Sequence, residues 1–410
     1  MVYNQARNGI FTGFTYNFWP VFCLFLLSPL ISLPFILAGI YRQKVSALFL
    51  LSVFIGLLAW LQVPTNDLYR HTMQYYNYAG KDFDWVINDP TYTDYISSLG
   101  KWILVNNGLT YQWYRLFWVA ESFFVVAYAL NDYILRSTRV YTRKEVFLYF
   151  LIWVLFFEFI QTTSGVRYCC ACYNYAFALY LFFNRKKYLL GFLFLFVALK
   201  THSSFNFFIP LSFLLYFLCR TRTMAFIGVV VGFIMVSIVL SMFGEALLGR
   251  SAEFYFKDGI SGSGGSTSIG FVLFILVRLF LLPFAYIGFR YFNLKSPWTR
   301  MTLVWASIFI IFITNEVMIF RCAIFLSVVG IFALLECESK RLISHRLFDI
   351  VIWCGIFTTV FNAVNYRGYI SSSSFEKIAA PVVPVILDNV YDKQWLNSNI
   401  SGDQVKKKYN

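Results

Sequence analysis

Apolar residues in this chain come in long unbroken runs, separated by short breaks that are polar or basic. The runs are 18–40, 45–63, 114–134, 145–161, 168–183, 188–200, 204–219, 224–243, 269–290, 301–314, 317–335 and 347–365. Most reach the roughly 17–25 residues that carry an α-helix across a hydrocarbon core of about 30 Å. A helix apolar on every side needs lipid or other helices around it. The pattern therefore predicts an all-α polytopic membrane protein of about twelve transmembrane helices, with 168–183 and 301–314 short enough to tilt or re-enter. The first run carries Pro20, Pro29 and Pro34 and lacks a small-residue cleavage site, so it reads as a retained helix.

The breaks sort by charge. Tyr41 to Lys44, Arg136 to Lys144, Asn184 to Lys187, Arg220 to Arg222, Arg290 to Arg300 and Lys340 to Arg346 are basic, and they alternate strictly with the others. One assignment puts all six in the cytoplasm. The N-terminus, the long segment 64–113, the turns at Arg167 and His202, the loop 244–268 and Asn315-Glu316 then share the outer face. Residues 1–365 form the membrane domain. The polar stretch 366–410, ending Lys406-Lys407-Lys408, is expected to be a disordered tail, outside by the same alternation.

Composition agrees: 59% hydrophobic, 13% charged and a mean hydropathy of +0.64 exceed what a soluble chain of this length hides. The net charge of +14 resides mostly in the basic breaks, so it orients the protein in a bilayer and calls for no nucleic acid. Cys23, Cys219, Cys322 and Cys354 lie in or beside apolar runs and read as packing residues. Cys169, Cys170 and Cys172 have no second cluster to complete a metal site, so none is expected. The Gly/Ser-rich loop 244–268 reads as a flexible linker.

Candidate chemistry gathers around 161–204, two apolar runs joined by the basic turn Asn184-Arg185-Lys186-Lys187. Two crossings return the far ends, Arg167 and His202, to one side, just inside the hydrocarbon edge where ionisable groups are usually functional. Arg167 follows Thr162-Thr163-Ser164-Gly165 and suits phosphate or pyrophosphate; the plainer reading is a snorkelling interfacial arginine. His202 can handle a proton, or be a satisfied interfacial histidine. Asp67, Arg70 and His71 share a helix face at the exit of the second run, as a base and polar contacts for a sugar or as an ordinary solvated helix start. Tyr69, Tyr75 and their aromatic neighbours anchor at the interface or stack on sugars. Arg321 lies inside its run and needs a cavity or partner, with Glu316 off its face at i, i+5; Arg278 is placed similarly. His345, in a basic loop, reads as incidental, and Asp82-Phe83-Asp84 as a solvated acidic turn.

In these residues the chain resembles membrane proteins of the EpsG family, relatives of the Wzy polysaccharide polymerases. The likeness spans about residues 45–335 and rests on order and spacing. It is carried by Asp67 with Tyr69 and Tyr75, Val166-Arg167 opening a helix, the basic turn 184–187, His202-Ser203-Ser204 closing the next helix, and Arg321. Cys169-Cys170 departs from the polar residues the family often has there. The resemblance implies a GT-C-like membrane glycosyltransferase in the bacterial inner membrane. It would join undecaprenyl-pyrophosphate-linked oligosaccharide units at the outer face without metal or other cofactor, and partner a chain-length regulator protein. Arg167, Arg321 and Arg278 would bind the pyrophosphate, His202 or Asp67 would relay the proton, and Arg70, His71, Tyr69 and Tyr75 would line the acceptor path. Two alternatives stand beside it: a metal-dependent polyprenyl-phosphate-sugar transferase using Asp82 and Asp84, and a lipid-linked oligosaccharide flippase.

Overall fold

The computed structural model describes residues 15–88, 94–218, 279–292, 296–311, 316–401 and 404–405, and apart from one short β-pair its ordered elements are helices. The first apolar run is two helices, α1 (Phe18–Leu27) and α2 (Pro29–Tyr41). Ser28 stands between them in extended backbone, and Pro29, with no N–H to give the preceding turn, opens the second. After α3 (Val45–Leu61), segment 64–113 folds as α4 (Asn66–Tyr76), α5 (Phe83–Asn88) and α6 (Tyr95–Asn106). Then come α7 (Tyr111–Arg136) and α8 (Arg143–Phe156), the latter opened by a Thr142–Glu145 capping box. The run 145–161 is also broken, because α8 stops and a short α9 (Phe159–Ser164) precedes α10 (Val166–Tyr180). One π-turn (Leu181–Arg185) and Lys186 at φ 55° reverse the chain into α11 (Tyr188–Thr201), followed by α12 (Phe205–Leu218). Further on lie α13 (Leu282–Arg290), α14 (Pro297–Ile311), α15 (Glu316–Ser339) and α16 (His345–Asn365). Run 224–243, residues 269–278 with Arg278, and the Gly/Ser loop lie outside the described residues.

Helices α10 and α15 form the centre. Every residue of α10 except Arg167 is buried, with Ala171, Ala176 and Ala178 among those letting neighbours approach closely. In α15, 89% of the apolar window is buried, against 17% in α16, which turns Trp353, Phe357 and Val360 outward. Leu189, Phe192 and Phe196 on α11 and Leu27 and Ile31 on the first pair are exposed too. Such a perimeter is unfavourable in water at about 25 cal/mol per Å² and fits lipid. At the basic end, acids tie the turns together. Asp132 receives Arg136 and Arg185 at 3.1 and 2.5 Å, and Arg139 bridges Glu145 and Glu338 at 2.7 and 3.2 Å.

The C-terminal stretch corrects the expectation of a disordered tail. It forms α17 (Arg367–Ser372), a 3-10 turn (Phe375–Ala379), α18 (Val382–Asp388), α19 (Lys393–Asn399) and the pair Ile400–Ser401 with Gln404–Val405. It packs at the bundle end that carries 64–113. Trp60 Nε1 donates to Asn389 O at 3.1 Å, and Gln112 Oε1 accepts from the Tyr391 N–H at 2.7 Å. Val63, Tyr391, Leu396 and Ile400 form an apolar cluster with Tyr69, Met73 and Tyr76. The overall polarity of the stretch conceals these few apolar anchors.

Candidate functional site

Four elements converge at the end opposite the basic turns. Gly165 interrupts α9 and α10, so Arg167 sits in the first turn of α10, where unpaired backbone N–H groups add positive potential. Its Nη1 donates to Asp94 Oδ2 at 2.6 Å. Asp94 immediately precedes α6 and is 5% exposed; its other oxygen accepts the Ser203 N–H at 2.7 Å. That N–H is available because α11 ends at Thr201 and α12 starts at Phe205, leaving His202-Ser203-Ser204 as a buried link.

His202 faces Tyr168, with ring centroids 5.4 Å apart and planes at 89°. Arg321 also sits on Tyr168, its guanidinium carbon 4.8 Å from the ring centroid. Tyr168 thus seats both groups, and the family-implied Arg167, His202 and Arg321 stand together in space. Glu316 lies on α15, but its side chain is outside the described residues.

The electrostatics separate the groups. Burial alone raises the proton affinity of Asp94, but Arg167, then His202, the Ser203 N–H and Lys101, bring it below the ordinary carboxylate value. Asp94 is therefore ionised at neutral pH. Burial drives the His202 imidazole from 6.5 down to about 3; Asp94 opposes this, while Arg321, Arg167 and His71 add to it. The Ser204 N–H, which can only donate, points at His202 Nδ1 at 3.2 Å, with the Ser204 hydroxyl at 2.9 Å. The neutral ring therefore carries its proton on Nε2.

A linked prediction follows. Between pH 6.5 and about 3 the unfolded chain protonates this imidazole and the folded chain does not. The unfolded state then binds more protons, so stability falls as the pH drops through that window. Melting of the detergent-solubilised protein should be less acid-sensitive in His202→Gln than in wild type; equal slopes refute the assignment.

The other predicted residues divide. On α4, His71 is half-buried and its charge reaches His202, whereas Arg70 is exposed. Asp67 lies on the same helix, but its side chain is outside the described residues. Tyr75 is a correction: it is fully buried, packs on Tyr111 and donates to Leu109 O at 2.5 Å, so no face is open to a sugar. Tyr69 packs on the C-terminal cluster. Asp82 and Asp84 are exposed, and among the described residues no three His, Cys, Asp or Glu gather as metal ligands. Sequence reasoning missed Asp94 and Lys101, both inside the long polar segment. It also missed the buried Arg115, whose guanidinium donates to Gln62 O at 3.1 Å and so ties α7 to the end of α3. An apolar cleft of about 380 Å³ opens beside α9, lined by Leu58, Phe157, Phe159, Ile160, Ile370 and Phe375.

The arrangement defines the class: a polytopic helical protein of membrane type with a cation-rich polar site at the end opposite its basic turns. The chain belongs to the EpsG family, whose model matches residues 45–376. No curated protein and no solved structure matches it. Membership points to a polymerase-like role in polysaccharide biosynthesis.

Proposed function

We propose that the protein is a polysaccharide repeat-unit polymerase, transferring a glycan from undecaprenyl pyrophosphate to an acceptor sugar at the outer face of the bacterial inner membrane. The observation that carries this reading is the meeting of Arg167 and Arg321, from separate helices, around Tyr168 and His202 at one end of an apolar bundle. In the proposed reaction an acceptor hydroxyl attacks the anomeric carbon. The C–O bond to the diphosphate breaks, and its electron pair leaves with the diphosphate.

Arg167 and Arg321 stabilise the charge that grows on those oxygens, with Arg278 a further candidate cation from outside the described residues. His202, neutral and protonated on Nε2, is suited to donate a hydrogen bond and poorly suited to accept the proton. Asp67 on α4 is the proposed proton acceptor, with Arg70 and His71 beside the acceptor path. The apolar cleft near α9 is proposed to take part of the prenyl chain.

Liposomes containing the purified protein and lipid-linked repeat units test this. A ladder of lengthened, lipid-linked glycan is expected, surviving EDTA and the Asp82→Ala substitution. Transport of the lipid-linked unit without lengthening refutes the polymerase, and loss with EDTA or Asp82→Ala favours the metal-dependent transferase.

A further inference from the structure

Helix α6 is folded inside out for a surface helix. Its buried side chains are Ser97, Ser98 and Lys101, at i, i+1 and i+4, while Tyr95 and Ile103 are 41% and 45% exposed. An ordinary amphipathic helix turns its apolar stripe inward. The two serines are accounted for: Ser97 Oγ accepts from Tyr114 OH at 2.8 Å, and Ser98 Oγ from Tyr78 OH at 3.1 Å. Lys101 is not. It is 3% exposed, and among the described residues its ammonium makes no hydrogen bond and no salt bridge. Its ammonium instead faces two rings, Tyr114 at 5.7 Å and Tyr111 at 5.9 Å from Nζ. Removing an ammonium from water costs several kcal/mol unless an anion meets it. Asp94, the described carboxylate that acts on it electrostatically, is already engaged by Arg167 and the Ser203 N–H.

Lys101 and Arg167 nevertheless act on each other and on Asp94 electrostatically, so the lysine belongs to the same charge cluster. With Arg321 the cluster has three cationic side chains to one ionised carboxylate, an excess that suits a multiply charged anion. We propose that Lys101 is the third cationic ligand of this site and the residue that makes it prefer a lipid diphosphate to a lipid monophosphate. The proposal rests on the polymerase reading in taking a lipid-linked diphosphate as the ligand. A single phosphoryl group is met by the forks of Arg167 and Arg321; the second phosphoryl group is the one Lys101 answers. In the empty site burial, reinforced by Arg167 and opposed by Asp94, pulls the Lys101 ammonium well below the usual lysine range. Arrival of the diphosphate raises its affinity for a proton again, so binding is accompanied by net proton uptake.

The test uses the full-length protein in detergent micelles, with undecaprenyl diphosphate and undecaprenyl monophosphate as probes. Lys101→Met is expected to weaken diphosphate binding by about tenfold or more and to change monophosphate binding by less than about twofold. Its melting temperature should hold or rise, since a buried charge without its own anion is removed. Unchanged affinity for both probes, or an equal fall for both, overturns the proposal. Titration of wild type with undecaprenyl diphosphate in buffers of different ionisation enthalpy needs no variant. Net proton uptake is expected, and its absence refutes the proposal even where Lys101→Met fails to fold. If Arg167→Ala also leaves diphosphate affinity unchanged, the polymerase reading itself fails; if only Lys101→Met is silent, this inference alone does.

Discussion

Arg167→Ala should abolish glycan lengthening, cutting the rate by about 10³-fold or more, since a cation aimed at a departing phosphoryl group is worth about 10³–10⁵. The side chain is the one accessible member of an otherwise buried helix, and it sits in that helix's first turn. Alanine also leaves the buried Asp94 without its 2.6 Å partner, and removing one member of a buried pair costs about 3–5 kcal/mol. Loss of activity in Arg167→Ala alone therefore confounds catalysis with folding. Arg167→Lys separates them. It keeps a positive charge opposite Asp94 but gives up the planar fork, so it should melt near the wild-type temperature while lengthening glycan about 10²-fold more slowly. A lysine variant with wild-type turnover shows that the guanidinium geometry plays no part, and removes Arg167 from the pyrophosphate role.

Much of this arrangement is legible in the pattern of the chain, for identifiable reasons. Apolar runs and basic breaks report directly on burial and on which end each turn occupies. The pairing of Arg167 with His202 follows from parity alone, two crossings and a short turn. Arg321 is legible because a charge inside an apolar run demands a partner, though its seat on the Tyr168 ring is not. Asp94 is different. It contacts Arg167 across 73 positions and Ser203 across 109, and its surroundings look like any polar loop. The signal that was available is the run Ser97, Ser98, Lys101, a polar face on a helix whose other face carries Ile103 and Tyr95. The C-terminal stretch misleads in the opposite sense. Its mean polarity argues for disorder, yet Tyr391, Leu396 and Ile400 suffice to dock it once Trp60, Gln112 and α4 present a complementary surface. The break at Ser28 also follows a local rule, since Pro29 cannot donate to the preceding turn.

Asp94→Asn should slow lengthening by about 10²-fold while tightening diphosphate binding, an opposite pair of effects expected of a positioning residue beside an anion site. The carboxylate holds Arg167 with one oxygen and the α11–α12 link, through the Ser203 N–H, with the other. It thereby fixes the guanidinium relative to the imidazole on that link, and small misplacements of catalytic groups are costly to rate. The same negative charge opposes any anion approaching Arg167, so neutralising it raises the positive potential the diphosphate meets. A residue with only a structural role would lower affinity and turnover together through misfolding, and that outcome refutes the assignment. The acid limb provides a second readout. The folded-state pKa of Asp94 lies below the ordinary value of 3.8, so its stabilising contribution is complete above that value and is lost as the pH falls through the lower one. Wild-type stability should therefore show an Asp94 acid loss below about pH 4 added to the His202 loss, and Asp94→Asn should remove the Asp94 contribution while depressing the His202 imidazole further, since Asp94 opposes that depression.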